Sequence, residues 1–257
     1  MKKTLLLILA LLPATVWAGD NDDFGTWLEL GAEKALPYNM EIGLEGGLRT
    51  KDGSSMMDRW DVGASFGYKA HKYLKLSAGY SVLMDYNAEN AGKKWLTPSH
   101  WKHRNRLCLE ASSGYKFWKW LRVSARVRYQ FTHRAGKHVD RYECEGMDAV
   151  TGEYTYDMDY PETKYFDCES RQVLRSRIKL EVDKKHLKWS PFVSAEFHNN
   201  LALGEHMNFD KLRTSVGTGY KINKHNSVSL AYVMTLNRME QPNERMHAVS
   251  LGYSFDF

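Results

Sequence analysis

The stretch that decides the fold is the last one, Val249-Ser250-Leu251-Gly252-Tyr253-Ser254-Phe255-Asp256-Phe257. Val249, Leu251, Tyr253, Phe255 and Phe257 share one parity, and Ser250, Gly252, Ser254 and Asp256 share the other. Successive side chains of a strand point to opposite faces, so this is a strand with one wholly apolar face and one small, polar face. The same split recurs upstream. Leu121, Val123, Ala125, Val127, Tyr129 and Phe131 alternate with Arg122, Ser124, Arg126, Arg128, Gln130 and Thr132. Leu107, Leu109, Ala111 and Tyr115 alternate with Arg104, Arg106, Glu110 and Ser112, and Leu174, Ile178, Leu180 and Val182 with Arg175, Arg177, Lys179 and Glu181.

A soluble β-sandwich also alternates, so three further features carry the distinction. The segments run to about ten residues or more, the length a tilted strand needs to cross a bilayer, where sandwich strands average about 5–6. Aromatic residues gather near the segment ends, as at membrane interfaces, and short connections alternate with long ones. Three of the short connections share the form Gly-Tyr-Lys-x-x-Lys: Gly67 to Lys72, Gly114 to Lys119 and Gly219 to Lys224. A small inward residue, an interfacial aromatic and lysines in an aqueous turn fit that pattern. The fold class is therefore all-β, a transmembrane antiparallel β-barrel with short periplasmic turns and longer extracellular loops.

The two ends agree with this. Lys2 and Lys3, the apolar stretch Leu5 to Leu12 and Val16-Trp17-Ala18 form a secretory signal peptide over residues 1–18, leaving 19–257 as one barrel domain. The apolar stretch is too short to span a bilayer as a helix, which takes about 20 residues. At the other end, Ser250, Gly252, Phe255 and Phe257 look like the C-terminal signal of outer-membrane proteins, a polar residue, a glycine and two aromatics at fixed spacing. That resemblance implies the outer membrane of a Gram-negative bacterium, with membrane lipid and the barrel-assembly machinery as partners. The formal net charge of +5 includes Lys2 and Lys3, and basic residues are interleaved with acidic ones, which argues against a nucleic-acid partner.

Strands are expected near Phe24–Lys34, Met40–Arg49, Arg59–Lys69, Leu74–Asp85, Lys102–Lys116, Leu121–Arg134, Arg171–Asp183, Lys188–His198, Leu212–Lys221, Ser227–Asn237 and Arg245–Phe257. Single-chain bacterial barrels have even strand numbers with both termini periplasmic. This odd map therefore implies ten strands, with the first segment in the lumen or folded as a latch, or twelve with one hidden, and we favour twelve. The longest external loop is expected over residues 135–170. It is rich in Tyr and acidic residues and carries Cys144 and Cys168, which oxidising export conditions favour as a disulfide. Cys108 falls on the lumen parity and reads as a small buried residue.

With the strands laid out, several stretches resemble the DUF2490 family, uncharacterised Bacteroidota outer-membrane β-barrel proteins. They are Phe24-Gly25-Thr26-Trp27, Leu187 to Glu196, the Asn223-Lys224-His225-Asn226-Ser227 turn and His247 to Phe257. The resemblance implies a barrel and an outer-membrane location, and brings no activity or catalytic residue with it.

Inward parity assembles a charge ladder. Arg104, Arg106, Arg122, Arg126, Arg128, Arg175, Arg177 and Lys179 lie on three strands consecutive in the map. Glu29, Glu33, Glu41 and Glu45 fall on the first two segments, with Glu181 and Glu196 elsewhere. Either these charges pair into a network that fills the lumen, or they set a transverse field across a narrow charge-selective channel for small solutes. A second class is an outer-membrane lipid hydrolase with Ser and His, oriented by Asn or Glu, on the outer wall. Its candidate histidines are His103, His133, His198 and His247, with His198-Asn199-Asn200 the most suggestive, although no serine adjoins it in a recognisable motif. A third reading makes the tyrosine- and acid-rich loop a binding surface. No His/Asp/Glu cluster has metal-ligand spacing, Asp157-Met158-Asp159 lacks the glycine and closing glutamate of a calcium loop, and nothing points to a cofactor.

Overall fold

The computed structural model describes residues 22–147, 153–184, 186–201, 207–238 and 245–257. The signal peptide read over residues 1–18 lies outside them. The described residues form β1 (Asp22–Ala35), β2 (Met40–Lys51), β3 (Met56–His71), β4 (Leu74–Asn87), β5 (Asn90–Ala91), β6 (Trp95–Thr97), β7 (His100–Lys116) and β8 (Leu121–Arg134). They continue with β9 (Lys137–Met147), β10 (Tyr154–Tyr156), β11 (Glu162–Phe166), β12 (Glu169–Val182), β13 (Trp189–Asn200), β14 (Asn208–Lys221), β15 (Asn226–Asn237) and β16 (Arg245–Asp256).

Eleven of these strands close a barrel in the order β1-β16-β15-β14-β13-β12-β8-β7-β4-β3-β2. They are the eleven segments that alternation picks out. The expectation of ten or twelve is thus corrected: among the described residues the barrel has eleven strands, and the first segment is neither a latch nor a plug but a full barrel strand. An odd up-and-down meander brings its two edges together running the same way. Here β1 pairs with β16 in parallel, from Asp22 opposite Arg245 to Glu33 opposite Asp256. Every other barrel pair is antiparallel. Parallel ladders are slightly weaker per residue, but closing the seam removes two open strand edges.

The seam is reinforced on both faces. Inside, Trp27 and Ala248 pack with Val233 into a buried apolar cluster. Outside, the Tyr232 hydroxyl lies 2.6 Å from His247 Nδ1, and His247 Nε2 lies 3.4 Å from Asp22 Oδ2, so one imidazole links β15, β16 and β1. Close approach also fixes a glycine beside it: a Cβ on Gly25 would run into the Thr50 carbonyl oxygen. That contact brings Thr26 and Thr50 together, with the Thr26 N–H donating to Thr50 Oγ1 at 2.8 Å.

Parity places the side chains as the alternation requires. Leu30, Leu44, Val62, Leu109, Ile178 and Leu251 stand exposed on the outer wall. At the short-turn end an aromatic collar runs round the wall: Tyr73 against Tyr115 at 5.6 Å, Trp118 against Trp120 at 5.5 Å and Trp189 against Tyr220 at 4.7 Å between ring centroids. Inside the first Gly-Tyr-Lys turn, a Cβ on Gly67 would come within 2.7 Å of Glu41 Cγ, so the glycine makes room for the Glu41–Lys75 ion pair.

Residues 135–170 depart from a loop. β9, β10 and β11 lie within them, and β9 pairs with β10, β11 and β6, building a small sheet at the long-connection end of the barrel. The expected Cys144–Cys168 disulfide is not formed in the structure. Cys144 lies on β9, opposite Tyr156, with its thiol 3.3 Å from the Gly146 carbonyl oxygen, while Cys168 lies exposed between β11 and β12 as a free thiol.

Candidate functional site

The lumen holds the densest polar chemistry of the barrel. All residues of the expected ladder fall on inward positions, as their register with other lumen residues requires. Glu196 on β13 is 3 % exposed and gathers three partners: Arg126 Nη2 at 2.6 Å, Arg175 Nη2 at 2.5 Å and His198 Nε2 at 2.9 Å. Arg126 is also 3.7 Å from Glu110, which takes Arg128 Nε at 2.7 Å. Nearer the long-connection end, Asp85 pairs with both Arg59 and Arg104, and Asp210 with Arg171 at 2.6 Å. Lys179 pairs with Glu181 at 3.3 Å and lies over the Phe192 ring, and Arg122 lies beside Gly114. A buried carboxylate among guanidiniums is held in place because leaving either charge unpaired costs several kcal/mol.

The same arginine wall also borders open space. A cavity of about 490 Å³ occupies the lumen. Glu29, Glu33 and Glu45, on β1 and β2, line one side of it, and Arg126, Arg128, Arg175 and Arg177, on β8 and β12, line the other. In the strand order these pairs lie on opposite walls. None of the three carboxylates forms an ion pair among the described residues. A second lumen cavity, of about 150 Å³, lies toward the long-connection end. Arg49, Arg106, Arg175 and Arg213 line both cavities and so mark the waist between them. Arg49 and Arg213 lie over the Trp27 ring, 4.4 and 4.8 Å from its centroid, an arrangement that holds cations by the ring quadrupole.

Arg49, Arg59, Asp61, Asp85, Asp210 and Arg213 escaped the sequence reading. Most carry the correct parity and could have been found by extending the alternation to every strand. Asp210 could not, because the register shifts between His198 and Asn199 where β13 meets β14.

The candidate histidines separate. His198 points into the lumen and bonds Glu196, so it is not on the outer wall, and the hydrolase reading built on it is corrected. His247 is part of the seam. His133 faces outward, with its Nδ1 2.9 Å from Ser170 Oγ on the neighbouring strand.

No curated protein matches the chain by sequence. Among solved structures it is similar to the translocator domain of the autotransporter NalP from Neisseria meningitidis. The identity is 16%, the TM-score is 0.49, and the match covers 84% of this chain and 80% of that one. Residues 24–246 match a family described as "Protein of unknown function (DUF2490)", and the chain belongs to that family.

Proposed function

We propose that the chain is an integral outer-membrane β-barrel whose lumen forms a narrow passage for small solutes and sorts them by charge. The exposed apolar outer wall and the aromatic collar at the short-turn end support the membrane reading, because such a wall is stable only in contact with lipid. On this reading the short turns lie on the periplasmic side and the small sheet of β9–β11 lies outside the cell. Ser250, Gly252 and Phe255 on β16 and Phe257 just after it then serve as the signal for barrel assembly, the step that joins β16 to β1.

One observation carries the channel reading: carboxylates and guanidiniums line opposite walls of the same cavity without pairing across it. The guanidiniums pair only on their own side, with Glu196 and Glu110, and leave Glu29, Glu33 and Glu45 across open space. Separated walls leave water between them and impose a transverse field, and the waist of four arginines tilts that field toward anions. The test is conductance in planar bilayers under a salt gradient. Discrete channels with a reversal potential on the anion side are expected, moving toward the cation side in R49Q/R213Q. Folded protein that gives no discrete conductance refutes the reading.

A further inference from the structure

The outer wall carries a polar row where the alternation calls for apolar residues. His133 on β8 stands opposite Asn105 on β7 and opposite Ser170 on β12, so the three lie side by side across neighbouring strands on the outward face. Ser170 is exposed, and its Oγ lies 2.9 Å from His133 Nδ1. Asn105 flanks the imidazole from the other side, and its Oδ1 accepts a hydrogen bond from the Tyr80 hydroxyl at 2.6 Å. Below Ser170 on the same face, Gln172 Oε1 accepts from the Tyr129 hydroxyl at 2.8 Å, which leaves the Gln172 amide N–H groups as donors. The row, held by its own hydrogen bonds, interrupts the apolar alternation of β7, β8 and β12 at one level of the outer wall.

Height places the row. At about 3.3 Å per residue and a tilt of about 40°, the run from Leu121, beside the Trp118–Trp120 collar, to His133 climbs roughly 30 Å. That is the full thickness of the hydrocarbon layer, about 30 Å or slightly less. Ser170 therefore sits at the opposite interface, the depth at which lipid ester carbonyls lie. At the rim beside the row is a cavity of about 140 Å³ lined by His100, Lys102, His103, Arg134 and Phe166, with His103 on the outward parity and Lys102 and Arg134 on the inward parity, opposite Asp85 and Glu169. His103 is two residues before Asn105 on the same face of β7, so the cavity adjoins the row. Its apolar wall and its cations suit a headgroup carrying a phosphate.

We propose that Ser170, His133 and Asn105 form a hydrolytic site for the acyl esters of a phosphate-bearing membrane lipid. Ser170 Oγ attacks the ester carbonyl carbon while its proton passes to His133 Nδ1. The charge that develops on the carbonyl oxygen is met by the Gln172 amide N–H. The C–O bond to the lipid's alcohol breaks, and the departing oxygen takes the proton from His133. Water then attacks the acyl-Ser170 ester, giving a proton to His133; the fatty acid leaves and Ser170 recovers its proton. Asn105 is a positioning residue: the Tyr80 hydrogen bond fixes its amide, and the second lone pair of Oδ1 is free to hold the imidazole Nε2–H. The site lies on the outer wall and does not depend on whether the lumen conducts.

The test uses the full barrel in detergent, with folding verified by heat-modifiable gel mobility. The wild type should take a fluorophosphonate label at Ser170 and release fatty acid from micelles containing phosphatidylglycerol. S170A should lose the label, and S170A and H133A should each lose roughly 100-fold or more of the release rate. N105A should lower kcat with KM little changed and shift the pH profile, whereas K102A should raise KM for phosphatidylglycerol and not for diacylglycerol. Folded wild type that takes no label and releases no fatty acid overturns the proposal, as does release that survives S170A. An unchanged KM for phosphatidylglycerol in K102A, or an equal rise for diacylglycerol, overturns the headgroup assignment.

Discussion

Replacing Glu196 with Gln removes one negative charge and almost no volume from the most crowded ion cluster of the barrel. Glu196 is 3 % exposed, and its carboxylate takes Arg126, Arg175 and His198. Arg126 keeps a second carboxylate, Glu110, at 3.7 Å. Among the described residues Arg175 keeps only the side-chain oxygen of Gln130, at 3.2 Å. The substitution therefore strands one guanidinium rather than two. Breaking a fully buried pair costs about 3–5 kcal/mol. Arg175 also lines the lumen cavities, where water relieves part of that cost, so a loss of about 2–3 kcal/mol is expected. The assay is equilibrium urea unfolding of the barrel in phospholipid vesicles, followed by tryptophan fluorescence. Because the cost arises from a stranded cation, adding R175Q to E196Q should recover most of it, about 1–2 kcal/mol. If E196Q unfolds within about 0.5 kcal/mol of the wild type, the size of a neutral surface change, the cluster does not hold the lumen as described.

Three further outcomes follow from the fold. H247A removes the imidazole between Tyr232 and Asp22 and should lower stability by about 1–2 kcal/mol in the same assay, while H225A, in an exposed turn, should change it by less than about 0.5 kcal/mol. G25A should prevent or severely slow assembly, read as loss of the compact form on unheated gels, because its methyl group meets the backbone oxygen of Thr50 and not a side chain that could move. Cys144 and Cys168 should both react with a maleimide in native membranes without prior reduction; protection of both, reversed by reductant, would contradict the free thiols of the structure.

The eleven barrel strands are legible because an apolar wall against a polar lumen writes a period of two into each of them. The closure is not. Whether β1 meets β16 in parallel depends on the edges of the finished meander, and the motif Phe24-Gly25-Thr26-Trp27 shows only that its residues are unusual, not that Gly25 lets Thr50 approach or that Trp27 fills the seam. The lumen ladder followed from parity alone, yet its partners did not, since Glu196 and Arg126 lie 70 residues apart in the chain. The sheet of β9–β11 was hidden because β10 and β11 are short and the longer β9 is rich in charged residues and lacks an apolar face. The outer-wall row was hidden for a different reason: Ser170 follows His133 by 37 residues, and only the register of β8 with β12 brings them together.

The central claim is a barrel of eleven strands closed by a parallel seam. It places Asp22 at the long-connection end and Phe257 at the short-turn end, and with the proposed membrane reading these ends face opposite sides. The direct measurement is antibody access in intact cells to an epitope inserted ahead of Asp22, compared with one inserted in the Asn223–His225 turn beside the end of β16. The account predicts that the first is reached from outside and the second only after the outer membrane is permeabilised. Both epitopes hidden until permeabilisation would contradict it, and would mean an even barrel with both ends in the periplasm.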